Sequence, residues 1–198
     1  MKKILYVVLG SLISILLLIG IYLGIIHLTG NIHTVIPSQV YRAQHLSVNH
    51  LQRVIKEYQI KTVLDLAPIS DLAAEEKLAQ IDHITYIYLP LKSMQVTPPV
   101  QLKKLTQILI HAKKPILIHC KSGSDRTGLA SAVALVLHNA DINTAMQQVE
   151  YIRYGITNKH STGRVTLQPY KQWLQQQRLP STRGQYLLWL RRSIGLAE

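Results

Sequence analysis

The sequence predicts an α/β domain with a central, mostly parallel sheet flanked by helices, preceded by one N-terminal transmembrane helix. Three observations lead there. Short β-branched or apolar runs alternate with segments of helical periodicity along most of the 198 residues, the pattern of strands joined by helical crossovers. One run, "PILIH" at 115–119, is apolar without alternation, as suits a strand buried on both faces. Residues 4–26, "ILYVVLGSLISILLLIGIYLGII", carry no charge and are numerous enough to cross a bilayer as a helix.

Lys2 and Lys3 precede the apolar run. A secretory signal peptide starts in the same way. Its apolar region is normally shorter, and the flank "HLTGNIHTVIPS" (27–38) has no small-x-small cleavage site, so an uncleaved anchor is expected. Positive flanks tend to stay cytoplasmic. No Lys or Arg lies between His27 and Tyr41, so the rest of the chain is expected outside the cytoplasm. In a bacterial inner membrane that is the periplasmic side. The expected division is an anchor over 1–30, a globular domain over 31–180 and a C-terminal helical extension over 181–198.

Within the domain, 27–38 reads as a linker. "SVNHLQRVIKEYQ" (47–59) has a Ser at the cap position and helical spacing, "KTVLDL" (61–66) reads as a strand, and 71–80 as a helix. "ITYIYLP" (84–90) is a further strand, and "PPVQLKKLTQILIHA" (98–112) a helix opening on prolines. After the strand at 115–119 come two helices, "TGLASAVALVLHN" (127–139) and "INTAMQQVEYIRYG" (142–155), the first apolar nearly all round and so buried. The C-terminal "RGQYLLWLRRSIGL" (183–196) mixes arginines with aromatics. Such a segment suits a membrane surface, but a terminal helix docked on the domain is the commoner arrangement and is expected here.

Composition narrows the partners. There are 22 basic and 10 acidic residues, and the first 30 positions hold two basic and no acidic ones. The basic surplus of the remainder favours anionic partners such as phosphate esters or acidic lipid headgroups. Nucleic acid ranks last, because no basic tract is interleaved with aromatics and no zinc-finger spacing occurs. The single cysteine excludes an internal disulfide framework.

That cysteine sits in "HCKSGSDRTG" (119–128), between the apolar strand and a buried helix. Cys120 at the end of a strand, Gly123 in a turn and Gly128 in the first helical turn would wrap Lys121, Ser122, Gly123 and Ser124 into a cup of inward N–H groups. Such a nest at a helix N-terminus binds a tetrahedral oxyanion, and its field stabilises a thiolate. Arg126 supplies a planar fork for two phosphate oxygens. Thr127 can donate a hydroxyl hydrogen bond to the sulfur, and His119 orients the loop. A nucleotide-binding P-loop needs Lys after its second Gly, where position 129 is Leu. A zinc site would need a second Cys or a tight His pair, and rhodanese-type sulfurtransferases use a shorter loop. A buried structural cysteine would explain none of the surrounding residues.

"HCKSGSDRTG" resembles the HCxxGxxR[ST]G active-site motif of the cysteine-dependent protein tyrosine phosphatase superfamily, most closely its compact dual-specificity and bacterial atypical members. The likeness covers about 35–170, with "VYRAQHLS" (40–47) resembling the start of bacterial relatives' domains. It implies a tyrosine-phosphatase-like catalytic domain with an αβα fold around a central sheet, a phosphocysteine on Cys120, and neither metal nor cofactor. The bilayer tether and the basic surplus lean towards phospholipid or lipid-linked phosphates as substrates, with phosphotyrosine proteins close behind.

Phosphoryl transfer to sulfur needs an acid for the leaving oxygen. In the family it usually comes from the loop corresponding to 89–99, "LPLKSMQVTPP", which here holds no Asp, Glu or His. Asp125 is the expected substitute. "GxDRT" resembles the loop of myotubularin-type and bacterial lipid-directed phosphatases, in which the Asp is the proposed acid. A carboxylate that pairs with a nearby base or caps a helix is the competing reading of Asp125, and Asp65 and Asp71 are rival acids. Ser124 stands where the lipid-directed relatives often carry Lys, and Lys121 can add charge at the rim. A phosphate-binding module without turnover is the alternative to an enzyme.

Overall fold

The computed structural model describes residues 2–68, 72–150, 154–155 and 159–195. Helix α1 (Lys2–Leu28) comes first and leaves many of its leucines and isoleucines exposed, Leu17 by 64% and Ile13 by 58%. Among the described residues it is the one helix long and apolar enough to cross a membrane, over Tyr6–Ile26.

Twelve elements follow: β1 (His33–Ile36), β2 (Val40–Gln44), α2 (Val48–Glu57), β3 (Thr62–Asp65), α3 (Leu72–Ile81), β4 (Thr85–Tyr88), α4 (Pro99–His111), β5 (Ile116–Cys120), α5 (Asp125–Leu137), α6 (Ile142–Glu150), α7 (Thr162–Gln177) and α8 (Arg183–Ser193). The sheet order is β1-β2-β5-β3-β4, parallel except for the edge strand β1. The central position falls to β5, whose five residues are all buried, as its unbroken apolar run predicts.

Alternation along β5 directs its chemistry. Ile116, Ile118 and Cys120 join one core with Leu105, Leu129, Val133, Met146 and Leu167 from α4 to α7. Leu117 packs instead with Leu51, Val54, Ile55 and Leu78 of α2 and α3. The period of two therefore sends Cys120 towards α5 and the preceding His119 towards α3. Helix α5 is buried at every position except Asp125 and Leu135, so the segment after the cysteine is locked into the interior.

Three expectations change. The stretch 27–38 is more than a linker: it contains β1 and Asn31, which is 2% exposed. Four residues pairing on one side carry too little alternation to be read as a strand. Helix α5 begins at Asp125, two residues earlier than its apolar pattern, which places both Asp125 and Arg126 in the first helical turn. Helix α7 escapes the periodicity reading because Pro169 sits inside it and removes one N–H donor. Of the helix expected over 142–155, α6 accounts for the part up to Glu150, and 151–153 lie outside the described residues. The C-terminal helix α8 docks on the domain: Tyr186 is fully buried, its hydroxyl lies 3.0 Å from Thr106 Oγ1, and its ring meets Tyr170 edge-on.

Candidate active site

The cup is set by where its carbonyls point. His45 N–H donates to Lys121 O (3.4 Å), Asn31 Nδ2 to Ser122 O (3.0 Å), and Arg42 Nη2 to Gly123 O (2.8 Å) and Ser124 O (3.2 Å). Arg42 lies in β2, His45 just after it, and Asn31 between α1 and β1. In a planar trans peptide the N–H opposes the C=O. The N–H groups of Ser122, Gly123, Ser124 and Asp125 are thus turned away from the donors that hold the carbonyls. Gly123 has φ +68, and a Cβ there would lie 2.6 Å from Gln44 N and 2.7 Å from Ala43 O. Both the turn and the close approach to β2 require glycine.

Arg42, fully buried on β2, carries much of this brace. Its guanidinium also donates to Gln148 Oε1 (2.6 Å) and lies 3.8 Å from the Tyr154 ring centroid. Ser124 donates its hydroxyl to Tyr154 O and ties the loop backward.

Cys120 ends β5 and is fully buried, while Lys121 is exposed and Ser122 half-buried. Arg126 is 7% exposed. Its Nη1 lies 3.5 Å from Leu66 O, and its Nε has no hydrogen-bond partner among the described residues. Thr127 Oγ1 is likewise buried without a partner, and Gly128 N–H closes the first turn of α5 on Ser124 O (2.8 Å). Buried donors of this kind are what a bound oxyanion satisfies.

His119 lies between two carboxylates. Its Nε2 is 3.2 Å from Glu75 Oε2 and its Nδ1 is 3.7 Å from Asp65 Oδ1. Glu75 Oε1 faces His45 Nδ1 at 3.1 Å. Burial alone pushes the Glu75 carboxyl up, but hydrogen bonds and charge from His119 and His45 outweigh it and hold it down at about 2. Glu75 was not among the residues singled out in the sequence, since nothing local marks a helix glutamate as buried. His45, Glu75 and His119 place one donor atom each within 4.8 Å of one another, close enough for a metal ion. Glu75 faces both imidazoles at once, His119 at 3.2 Å and His45 at 3.1 Å.

The acid candidates differ sharply. Asp65 is fully buried and its oxygens accept from Ala67 N–H (2.8 Å) and Tyr86 OH (3.0 Å). Asp71 lies outside the described residues. Asp125 is half-buried. Its Oδ1 accepts from Thr162 N–H (2.5 Å), and its Oδ2 from Thr162 Oγ1 (3.0 Å) and Met94 N–H (2.9 Å). It joins the loop at 89–99 to the start of α7.

A family model described as "tyrosine phosphatase family" matches residues 23–187. The chain belongs to the tyrosine phosphatase family. It is a phosphoric monoester hydrolase by that membership. Solved structures share its fold. The core catalytic domain of the PP-IP phosphatase SIW14 from S. cerevisiae, in complex with citrate, is 20% identical, with a TM-score of 0.58 over 75% of this chain and 93% of that one. P. aeruginosa TpbA is 24% identical, with a TM-score of 0.55 over 69% and 84%. Cydia pomonella PTP-2 phosphatase is 16% identical, with a TM-score of 0.50 over 68% and 87%. No curated protein matches the chain. In this phosphatase the loop at 119–128 is braced by Asn31 and Arg42, two residues far from it in sequence.

Proposed function

We propose that this tyrosine-phosphatase-family protein is a membrane-anchored, single-pass enzyme that hydrolyses phosphomonoesters through a phosphocysteine on Cys120. The observation that carries the reading is the braced cup: outward carbonyls at 121–124 beside a buried Arg126 with an unpartnered Nε. The Cys120 sulfur attacks phosphorus in line and the leaving oxygen departs. Arg126 and the loop amides stabilise the equatorial oxygens. Water then attacks the phosphocysteine, releasing phosphate and restoring the thiolate. Asp125 donates the proton to the leaving oxygen and takes one from the water. The acid-free loop at 89–99 supports that assignment.

A phosphorylated lipid or lipid-linked phosphate is the favoured substrate, with phosphotyrosine proteins next. Support comes from α1, from the basic surplus, and from the short path between them. Asn31 follows α1 by three residues, a reach of about 10 Å, and touches the Ser122 carbonyl. The proposed location is a bacterial inner membrane with the catalytic domain on the periplasmic side, supported by Lys2 and Lys3 before the span. The proposed units are the anchor (1–30), the catalytic domain (31–180) and the extension (181–198).

The test is turnover of 4-nitrophenyl phosphate by the full chain in detergent micelles. Vanadate-sensitive activity that vanishes in Cys120→Ser is expected. One observation favours the second reading, a phosphate-binding module without turnover: all three contacts of Asp125 occupy it as a clamp. Phosphate binding by an inactive wild-type chain would establish that module. For the acid, Asp125→Asn should slow an alkyl phosphate about 100-fold while sparing an activated aryl phosphate. Equal slowing of both would remove Asp125 from that role, and loss of alkyl turnover in Asp71→Asn would move the role there.

A further inference from the structure

The end of the anchor helix is built into the catalytic loop. The last turn of α1 closes through Thr29 N–H to Ile25 O and Asn31 N–H to Ile26 O, both 2.9 Å. Gly30 (φ +85) and Asn31 (φ 50) then reverse the chain. Gly30 O accepts from Gln44 N–H (2.9 Å), and Gln44 is the residue paired with Cys120 across the sheet. Asn31, almost fully buried, spends its whole amide there. Nδ2 donates to Ser122 O (3.0 Å) and Tyr154 O (3.3 Å), and Oδ1 faces His33 Nε2 at 3.0 Å.

We propose that Asn31 is a positioning residue for the phosphate cup, holding the Ser122–Gly123 peptide with its N–H towards the substrate and tying the catalytic loop to the membrane exit. The peptide plane is the physical reason. With Ser122 O captured from behind, the Gly123 N–H must face the cup, and Gly123 has no side chain to resist rotation if that capture is lost. His33 fixes which way round the amide sits, so that the NH₂ faces the two carbonyls. This goes further than the phosphatase reading, on which its kinetic arm rests.

The full chain in micelles is compared with Asn31→Ala, Asn31→Asp, His33→Ala and Thr29→Ala. The readouts are kcat/KM for 4-nitrophenyl phosphate, the dissociation constant of orthovanadate, and the titre of Cys120 alkylated by iodoacetate. Asn31→Ala is expected to weaken vanadate binding and kcat/KM about tenfold at full alkylation titre. Asn31→Asp keeps the shape but sets an oxygen against Ser122 O, so it should be at least as impaired. If the residue merely filled space, Asp would restore function, and that result overturns the proposal. His33→Ala should lose about threefold and stands in for Asn31→Ala if that variant does not fold; unchanged vanadate binding in it is equally fatal. Thr29→Ala alters the same turn without touching the loop and should match the wild type. If the wild-type chain binds vanadate without turnover, the phosphatase reading fails, and the order of vanadate affinities still decides the role of Asn31.

Discussion

The two sides of the phosphate cup are built differently. Behind it, Asn31, Arg42 and His45 hold four consecutive carbonyls from buried or half-buried positions. In front, the loop at 89–99 has Lys92, Ser93, Met94, Gln95 and Val96 exposed, and reaches the site through Met94 N–H on Asp125 and Thr97 N–H on Thr166 Oγ1. On the proposed function, the rear contacts hold the donors that a phosphate monoester would use, and the front is where a leaving group and its carrier would enter. Oxyanion recognition would then be preformed, with the acid and the substrate preference left to the more open side.

Five substitutions break or sharpen that contrast, from the largest effect to the smallest. Gly123→Ala should abolish turnover, since its Cβ would meet the β2 backbone at 2.6 Å at a positive φ; steady-state kinetics and vanadate titration check it. Arg42→Met removes the donor to two loop carbonyls from a fully buried site. It should cost about 1–3 kcal/mol in urea unfolding, the penalty for leaving a buried acceptor unpaired, and lower kcat/KM at least tenfold.

Glu75→Gln acts under the loop, and its sign follows from the depressed carboxyl at about 2. A folded value below the unfolded one contributes stability that is fully present above about 4.5 and is lost as pH falls towards 2. The variant should be less stable at pH 7 by on the order of 2–3 kcal/mol, with the difference from wild type closing below pH 4 in denaturant melts. The exposed rim should be quiet by comparison. Met94→Ser and Val96→Ser should shift stability by less than about 0.5 kcal/mol and leave turnover of 4-nitrophenyl phosphate unchanged. A larger loss with vesicle-borne phosphates than with the aryl ester would mark the rim as the surface that meets the substrate carrier.

Much of this molecule is legible in the linear order of residues. Cys120, Gly123, Arg126 and Gly128 are neighbours in sequence, so one strand-to-helix turn brings them together and their spacing carries the chemistry. The membrane-length helix is legible for the same reason, because an uninterrupted apolar run is a local property. Asn31, Arg42 and Glu75 are different. Each meets the site across a long stretch of chain, and an asparagine after a glycine or a glutamate in a helix has no local mark of burial.

Asp125 shows where the two sources of information part. Its place beside Arg126 is written in the sequence, and so is the missing acid at 89–99. Its three contacts with Thr162 and Met94 exist because α7 and the loop at 89–99 close over the start of α5. By itself, the sequence determined the membrane-length apolar helix, the strand–loop–helix that holds the thiol, and the class of chemistry, all of which follow from short-range periodicity and spacing. Tertiary structure alone decided which way the loop's peptides face, because the donors that capture its carbonyls arrive through the long-range pairing of β2 with β5.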